Sequence, residues 1–118
     1  MFDQNRNRLI VGDTGRGALY DVDVTTGSYQ QIASDLGRPI SFAFGPQFKS
    51  LYVADYMYGR VHILRLDNGA FKRIDSITTG LRNLSAVALG PDDTLFLADG
   101  TNAYQLSLKT KKLTRVTF

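Results

Sequence analysis

The sequence predicts an all-β fold built from repeated four-stranded units, and three observations carry that prediction. A short apolar run closed by aspartate occurs three times, at Arg8–Asp13, Ser50–Asp55 and Thr94–Asp99. Val, Ile, Tyr and Phe enrich the segments around each copy, and nothing sustains a helical period. The third observation is register. A shift of 42 residues sets Asp13 on Asp55, Gly27 on Gly69, Val22 on Leu64 and then Leu106, and Tyr29 on Phe71 and then Leu113. The spacing from Asp55 to Asp99 is 44, with the drift placed in a longer connection around Ile77–Leu84 and shorter turns after it. Indels confined to turns are what a structural repeat shows.

One full unit reads as four short antiparallel strands. Ile40–Phe44 is the first, closed by the turn signal Gly45-Pro46. Leu51–Asp55 is the second. Val61–Leu66 is the third, closed by Asp67-Asn68-Gly69. Asn-Gly between two β runs is a hairpin signal, because both turn positions require φ > 0. Phe71–Asp75 is the fourth. The first two strands are apolar on both faces, as strands inside a stack of sheets are. The fourth carries Lys72, Arg73 and Asp75, and its repeat carries Lys112 and Arg115, which suits an outer edge strand guarded by charge. Units of this length with dry inner and wet outer strands are the blades of a β-propeller. A β-sandwich or barrel of repeated meanders is the other architecture the pattern allows. The blade boundaries fall at about 1–35, 38–77 and 83–118.

The 118 residues are enough for one ordinary domain. With 43% hydrophobic and 21% charged residues, a packed core is within reach and a disordered tail is excluded. The net charge is +3, and the basic residues are scattered apart from Lys109-Thr110-Lys111-Lys112, which reads as a solvated turn. Such scatter speaks against a nucleic-acid footprint, which needs a basic face. Without cysteine, neither a disulfide framework nor a thiolate metal site can form. The polar start Met1–Asn7 has no apolar core of a signal peptide, and no run approaches the ~18 apolar residues that span a bilayer. A soluble chain without signal peptide or transmembrane segment is expected, with its compartment left open.

The segments Pro39–Pro46 with Leu51–Asp55, and Ser85–Asp92 with Leu95–Asp99, resemble the NHL-type propeller repeat. They are also similar to the six-bladed propellers of the gluconolactonase and strictosidine-synthase-like families. The resemblance implies a propeller over nearly the whole chain. It does not fix an activity, because such folds host unrelated functions.

The first blade is expected to lack most of its inner strand. Phe44 precedes Leu51 by seven residues and Phe2 precedes Leu9 by seven, so Phe2 falls at the end of that strand. Propellers close with roughly 4–8 blades, so three blades leave two apolar faces in water. Two completions are open: the chain is a fragment of a longer propeller, or copies join head to tail. Two chains would make a six-bladed homodimeric ring.

Asp13, Asp55 and Asp99 each end the second strand of a blade, where a carboxylate can cap the following turn. Their repetition makes them structural. In the gluconolactonase-like families the resemblance implies an aspartate metal ligand at this place, partnered by an asparagine from the inner strand. The matching positions here are Ser41 and Ser85, with Asn83 out of register. No cofactor is expected, and a divalent metal such as Ca2+ belongs only to a hydrolase alternative. His62 is the single histidine and aligns with Tyr20 and Tyr104, which reads as packing. No Ser-His-Asp arrangement or zinc cluster is visible, and no catalytic residue is assigned. Gly12–Gly17 is not a phosphate loop, because a strand follows it where a helix would be needed.

The turns after the second strands and the links between blades should share one end. Arg16 with Thr14, Tyr56, Tyr58, Arg60, Thr101 and Asn102 come from the turns, and Arg38, Arg82 and Asn83 from the links. Arginine beside tyrosine suits small anionic or sugar-like ligands. The expectation is a non-enzymatic binding or interaction scaffold that assembles through blade edges. A gluconolactonase-like or strictosidine-synthase-like hydrolase of small esters or lactones is the alternative, and RNA binding a third possibility.

Overall fold

The computed structural model describes residues 1–117 and contains three four-stranded antiparallel sheets. Blade 1 is β1 (Phe2–Asp3), β2 (Arg8–Asp13), β3 (Ala18–Asp23) and β4 (Tyr29–Ala33). Blade 2 is β5 (Pro39–Phe44), β6 (Ser50–Asp55), β7 (Arg60–Asp67) and β8 (Ala70–Thr78). Blade 3 is β9 (Ala86–Leu89), β10 (Thr94–Ala98), β11 (Ala103–Ser107) and β12 (Leu113–Val116). In each sheet the strands lie in sequence order. The sole helical segment among the described residues is one 3-10 turn at Pro46–Phe48, and no helix is long and apolar enough to cross a membrane.

The repeat is a register fact as well as a sequence one. Leu9 pairs with Val22, Leu51 with Leu64 and Leu95 with Leu106. Phe2 pairs with Leu9 as Phe44 pairs with Leu51, and β1 carries two paired residues. Asn68 and Gly69 both have positive φ, at 51° and 81°, between the paired Asp67 and Ala70. They form the two-residue hairpin that β-strand twist favours. The outer strand β8 is longer than the sequence pattern suggested. It continues through Ile77, opposite Val61, because both side chains are buried against blade 3. The segment read as a connection from residue 77 therefore begins inside a strand.

Alternation of side chains gives every blade two faces. One face of blade 2 presents Leu51, Val53, Leu64 and Phe71 to Ile10 and Leu19 of blade 1 and to Leu36 of the link between them. Its other face presents Tyr52, Ala54, Val61 and Ile77 to Val87, Leu95, Leu97 and Leu106 of blade 3. Burying side chains of this size contributes about 1.5–3 kcal/mol each, so the two seams hold the sheets together.

A charged cluster bridges blades 1 and 2 at the Asn68-Gly69 hairpin. The Arg6 guanidinium donates to Asp3 Oδ2 at 2.7 Å, to Asp21 Oδ2 at 2.8 Å and to the Gly69 carbonyl at 3.1 Å. It also lies 4.8 Å above the Phe71 ring. Asp3 and Asp21 are buried; the charge of Asp3 depends on Arg6, and Asp21 has a second partner in Arg8, whose Nε donates to Oδ1 at 3.0 Å. Arg6→Ala is expected to cost about 3 kcal/mol, in the range for removing one member of a buried ion pair. Urea unfolding at neutral pH measures this, and Arg16→Ala, whose side chain is exposed, serves as the near-neutral control.

Candidate functional site

The second strand of each blade ends on an aspartate whose Oδ1 accepts N–H bonds from the following turn. Asp13 takes them from Gly15 and Arg16, both at 3.1 Å. Asp99 takes them from Thr101 at 3.1 Å and Asn102 at 2.8 Å. Asp55 takes them from Met57 at 2.9 Å and Tyr58 at 3.3 Å, and adds the Arg38 N–H at 2.9 Å. Its Oδ2 accepts from Arg60 Nε at 2.8 Å. Asp55 thus ties the turn of blade 2 to the link that arrives from blade 1. Gly37 has φ +67° and lies so close to the Asp55 carboxylate that a Cβ there would overlap it. Asp55 is fully buried. Burial alone would raise its pKa, but the Arg38 N–H, the Arg60 guanidinium and the turn N–H groups outweigh it, and the carboxyl titrates below the ordinary aspartate range.

The turns and links meet at one end. Tyr56 N–H donates to the Arg38 carbonyl at 2.9 Å, and Thr79 N–H to that of Gly59 at 2.9 Å. Gly17 abuts Gly37 and Gly59 abuts Leu81, so Arg38 and Arg82, the next residues, hold equivalent places. An open cleft of about 530 Å³ lies between them, bordered also by Tyr56, Tyr58 and Asn83. Its lining contains no carboxylate, and neither arginine makes an ion pair among the described residues. A second open hollow of about 410 Å³ brings Arg16 and Arg60 together with Tyr58 and Asp35. Arg60 is already committed to Asp55 and stacks 4.9 Å from the Tyr58 ring. Asn102 and Thr101 lie in the turn of blade 3 and border neither hollow.

One grouping escapes the linear sequence. Asp55, His62 and Ser76 stand on β6, β7 and β8. His62 Nδ1 is 2.7 Å from Ser76 Oγ, and Nε2 is 3.5 Å from Asp55 Oδ2 without an aligned hydrogen bond. The imidazole is fully buried and Ser76 is exposed. Burial, then the charges of Arg60 and Arg73, lower the histidine pKa against the opposing pull of Asp55. His62 is therefore neutral at neutral pH.

Among the described residues no cluster of three His, Cys, Asp or Glu side chains is placed to hold a metal. Of the two serines at the asparagine position, Ser41 Oγ accepts the Val87 N–H at 3.2 Å, and Ser85 Oγ donates to the Ala98 carbonyl at 3.3 Å.

No family model matches the chain, and no curated protein matches it in sequence. Solved structures do match. The β-propeller domain of Myceliophteria thermophila Cps50 (Swd1) aligns with a TM-score of 0.77 at 15% identity, over 98% of this chain and 36% of that one. Kuenenia stuttgartiensis hydrazine synthase aligns with a TM-score of 0.75 at 18% identity, over 92% and 32%. The periplasmic gluconolactonase PpgL of Pseudomonas aeruginosa aligns with a TM-score of 0.69 at 21% identity, over 93% and 37%. The chain spans about a third of the length of each. At these identities the likeness establishes the fold, which is a partial β-propeller of three blades.

The Asp55 hydrogen bonds predict an acid limb. The pKa of Asp55 is depressed in the fold, so its contribution is present above the ordinary aspartate pKa and is lost as pH falls through the lower, folded value. Urea unfolding from pH 6 down to pH 3 should show this loss. Asp55→Asn should lower stability at pH 6 by about 1.5–3 kcal/mol, the scale of hydrogen bonds to a charged group, and should flatten the acid limb.

Proposed function

We propose that the chain is a propeller binding module that completes itself with a second copy and takes a small anionic or sugar-like ligand at the Arg38–Arg82 cleft. The ligand reading rests on one observation. Two guanidinium groups, with Tyr56 and Tyr58, border a cleft whose lining has no carboxylate to neutralise them. Guanidinium binds carboxylate or phosphate in paired hydrogen bonds, and tyrosine offers a ring face to a sugar. Titration calorimetry with a sugar acid, glucuronate, tests it. Arg38→Ala and Arg82→Ala should each weaken binding about 10-fold or more, the scale of one charge-assisted hydrogen bond. Equal affinity in both variants would remove the cleft from consideration.

The assembly reading rests on the faces left open. Blade 1 presents Val11, Tyr20, Val22 and Tyr29 around a hollow of about 310 Å³ that Asp13 and Arg16 also border. This is the face that Val53, Leu64 and Phe71 form in blade 2. Blade 3 presents Phe96, 38% exposed, at the position where Tyr52 of blade 2 is 7% exposed inside a seam. The two open faces are thus of the two kinds that mate inside the chain. Joining tail to head twice gives a closed six-bladed ring of two copies, a heterologous contact that closes. Phe96→Asp or Val11→Asp should each leave the chain monomeric at micromolar concentration. Mixing the two variants should restore a dimer through the one seam that keeps both native faces. A mixture that stays monomeric would contradict the head-to-tail arrangement.

A further inference from the structure

Blade 2 departs from the repeat at two paired positions. The register sets Tyr20 opposite Val11 and Gln31, His62 opposite Val53 and Ser76, and Tyr104 opposite Leu97 and Arg115. The third blade shows one task a ring at this position performs. Tyr104 Oη donates to Asp99 Oδ2 at 3.0 Å, steadying the turn aspartate. In blade 2 the ring is an imidazole, and an imidazole has a second nitrogen. That nitrogen reaches the outer strand, where Ser76 stands in place of Gln31 and Arg115. The result is a line of polar groups from a buried carboxylate, through a buried neutral imidazole, to an exposed hydroxyl.

The hydroxyl opens on an open groove of about 300 Å³, bordered by Asp35, Arg60, Arg73 and Asp75. Arg60 holds the Asp55 carboxylate from one side and donates to the Asp35 carbonyl at 3.3 Å. Arg73 donates to the Ser34 carbonyl at 3.0 Å, so both guanidinium groups are anchored at the groove. With its proton on Nε2, toward Asp55, the imidazole offers the Nδ1 lone pair to the serine hydroxyl. This is the division of labour of a nucleophile, a base and an orienting acid, recognised by geometry and role rather than by chain order.

We propose that Ser76 is a nucleophile toward small carboxylic esters, with His62 as its base and Asp55 as a positioning residue. The serine Oγ adds to the ester carbonyl carbon while its proton passes to His62 Nδ1. The bond from that carbon to the alkoxy oxygen breaks, and the departing alcohol takes the proton back from Nδ1. Water then adds to the acyl-serine, with Nδ1 again taking a proton. The carboxylic acid leaves as Ser76 regains its hydrogen. Arg60 and Arg73 supply positive charge at the groove for the oxyanion formed in each addition. The groove is separate from the Arg38–Arg82 cleft, so this chemistry stands or falls apart from ligand binding there.

The test is covalent labelling of the intact chain with diisopropyl fluorophosphate, which forms an Oγ–P bond and releases fluoride. Intact mass and peptide mapping should show one adduct per chain, on Ser76, and none with Ser76→Ala, whose side chain sits on an exposed strand. His62→Gln should slow labelling at least about 100-fold, the lower end of base catalysis. If His62→Gln does not fold, the wild-type rate against pH decides. It should rise with a single inflection below the ordinary histidine range and then level off. No adduct, adducts spread over other serines, a rate unchanged in folded His62→Gln, or a rate that climbs steadily with hydroxide would each overturn the proposal.

Discussion

Each blade carries two apolar faces, because neighbouring residues in a strand point to opposite sides, and neither face is stable in water. Blade 2 satisfies both demands inside the chain. Its Leu51–Val53 face meets blade 1 and its Tyr52–Ala54 face meets blade 3. The faces are not interchangeable, since one always mates with the other kind. This gives the stack a direction. It also means that the outer faces of blades 1 and 3, seen at Tyr29 with 72% exposure and Phe96 with 38%, are of different kinds.

The turn aspartates turn this stack into a surface with chemistry. Each satisfies backbone N–H groups that the end of the strand would otherwise leave unpaired. Asp55 does more, because it also takes the Arg38 N–H and so fixes the link that carries Arg38. The same carboxylate orders Arg60 and faces His62. Gly37, the Arg38 N–H and the Arg60 guanidinium cover the Asp55 carboxylate, which is fully buried whereas Asp13 and Asp99 are partly exposed.

Much of the fold is legible in the sequence, for local reasons. Asn68-Gly69 fixes a hairpin because both residues must take positive φ, and the spacing of Val22, Leu64 and Leu106 fixes the register. The turns and links that would carry the ligand residues could also be placed. What each arginine does there could not. Arg60 looks like Arg38 in the sequence, yet it is bound to Asp55, because that depends on which side chains a strand end brings together. The pairing of His62 with Ser76 was hidden by one further step. An unbroken ladder from the Asn68-Gly69 hairpin would set His62 opposite Asp75. The irregularity between Ile63 and Leu64 shifts the partner to Ser76. A β-bulge of this kind has no reliable signature in a single sequence.

The central claim is that the two outer faces are complementary halves of one seam. Sedimentation equilibrium of the unmodified chain at micromolar concentration tests it most directly. The account predicts a single species of twice the 13.1 kDa chain mass. A stable, folded species of one chain mass, with both faces left in water, would contradict it.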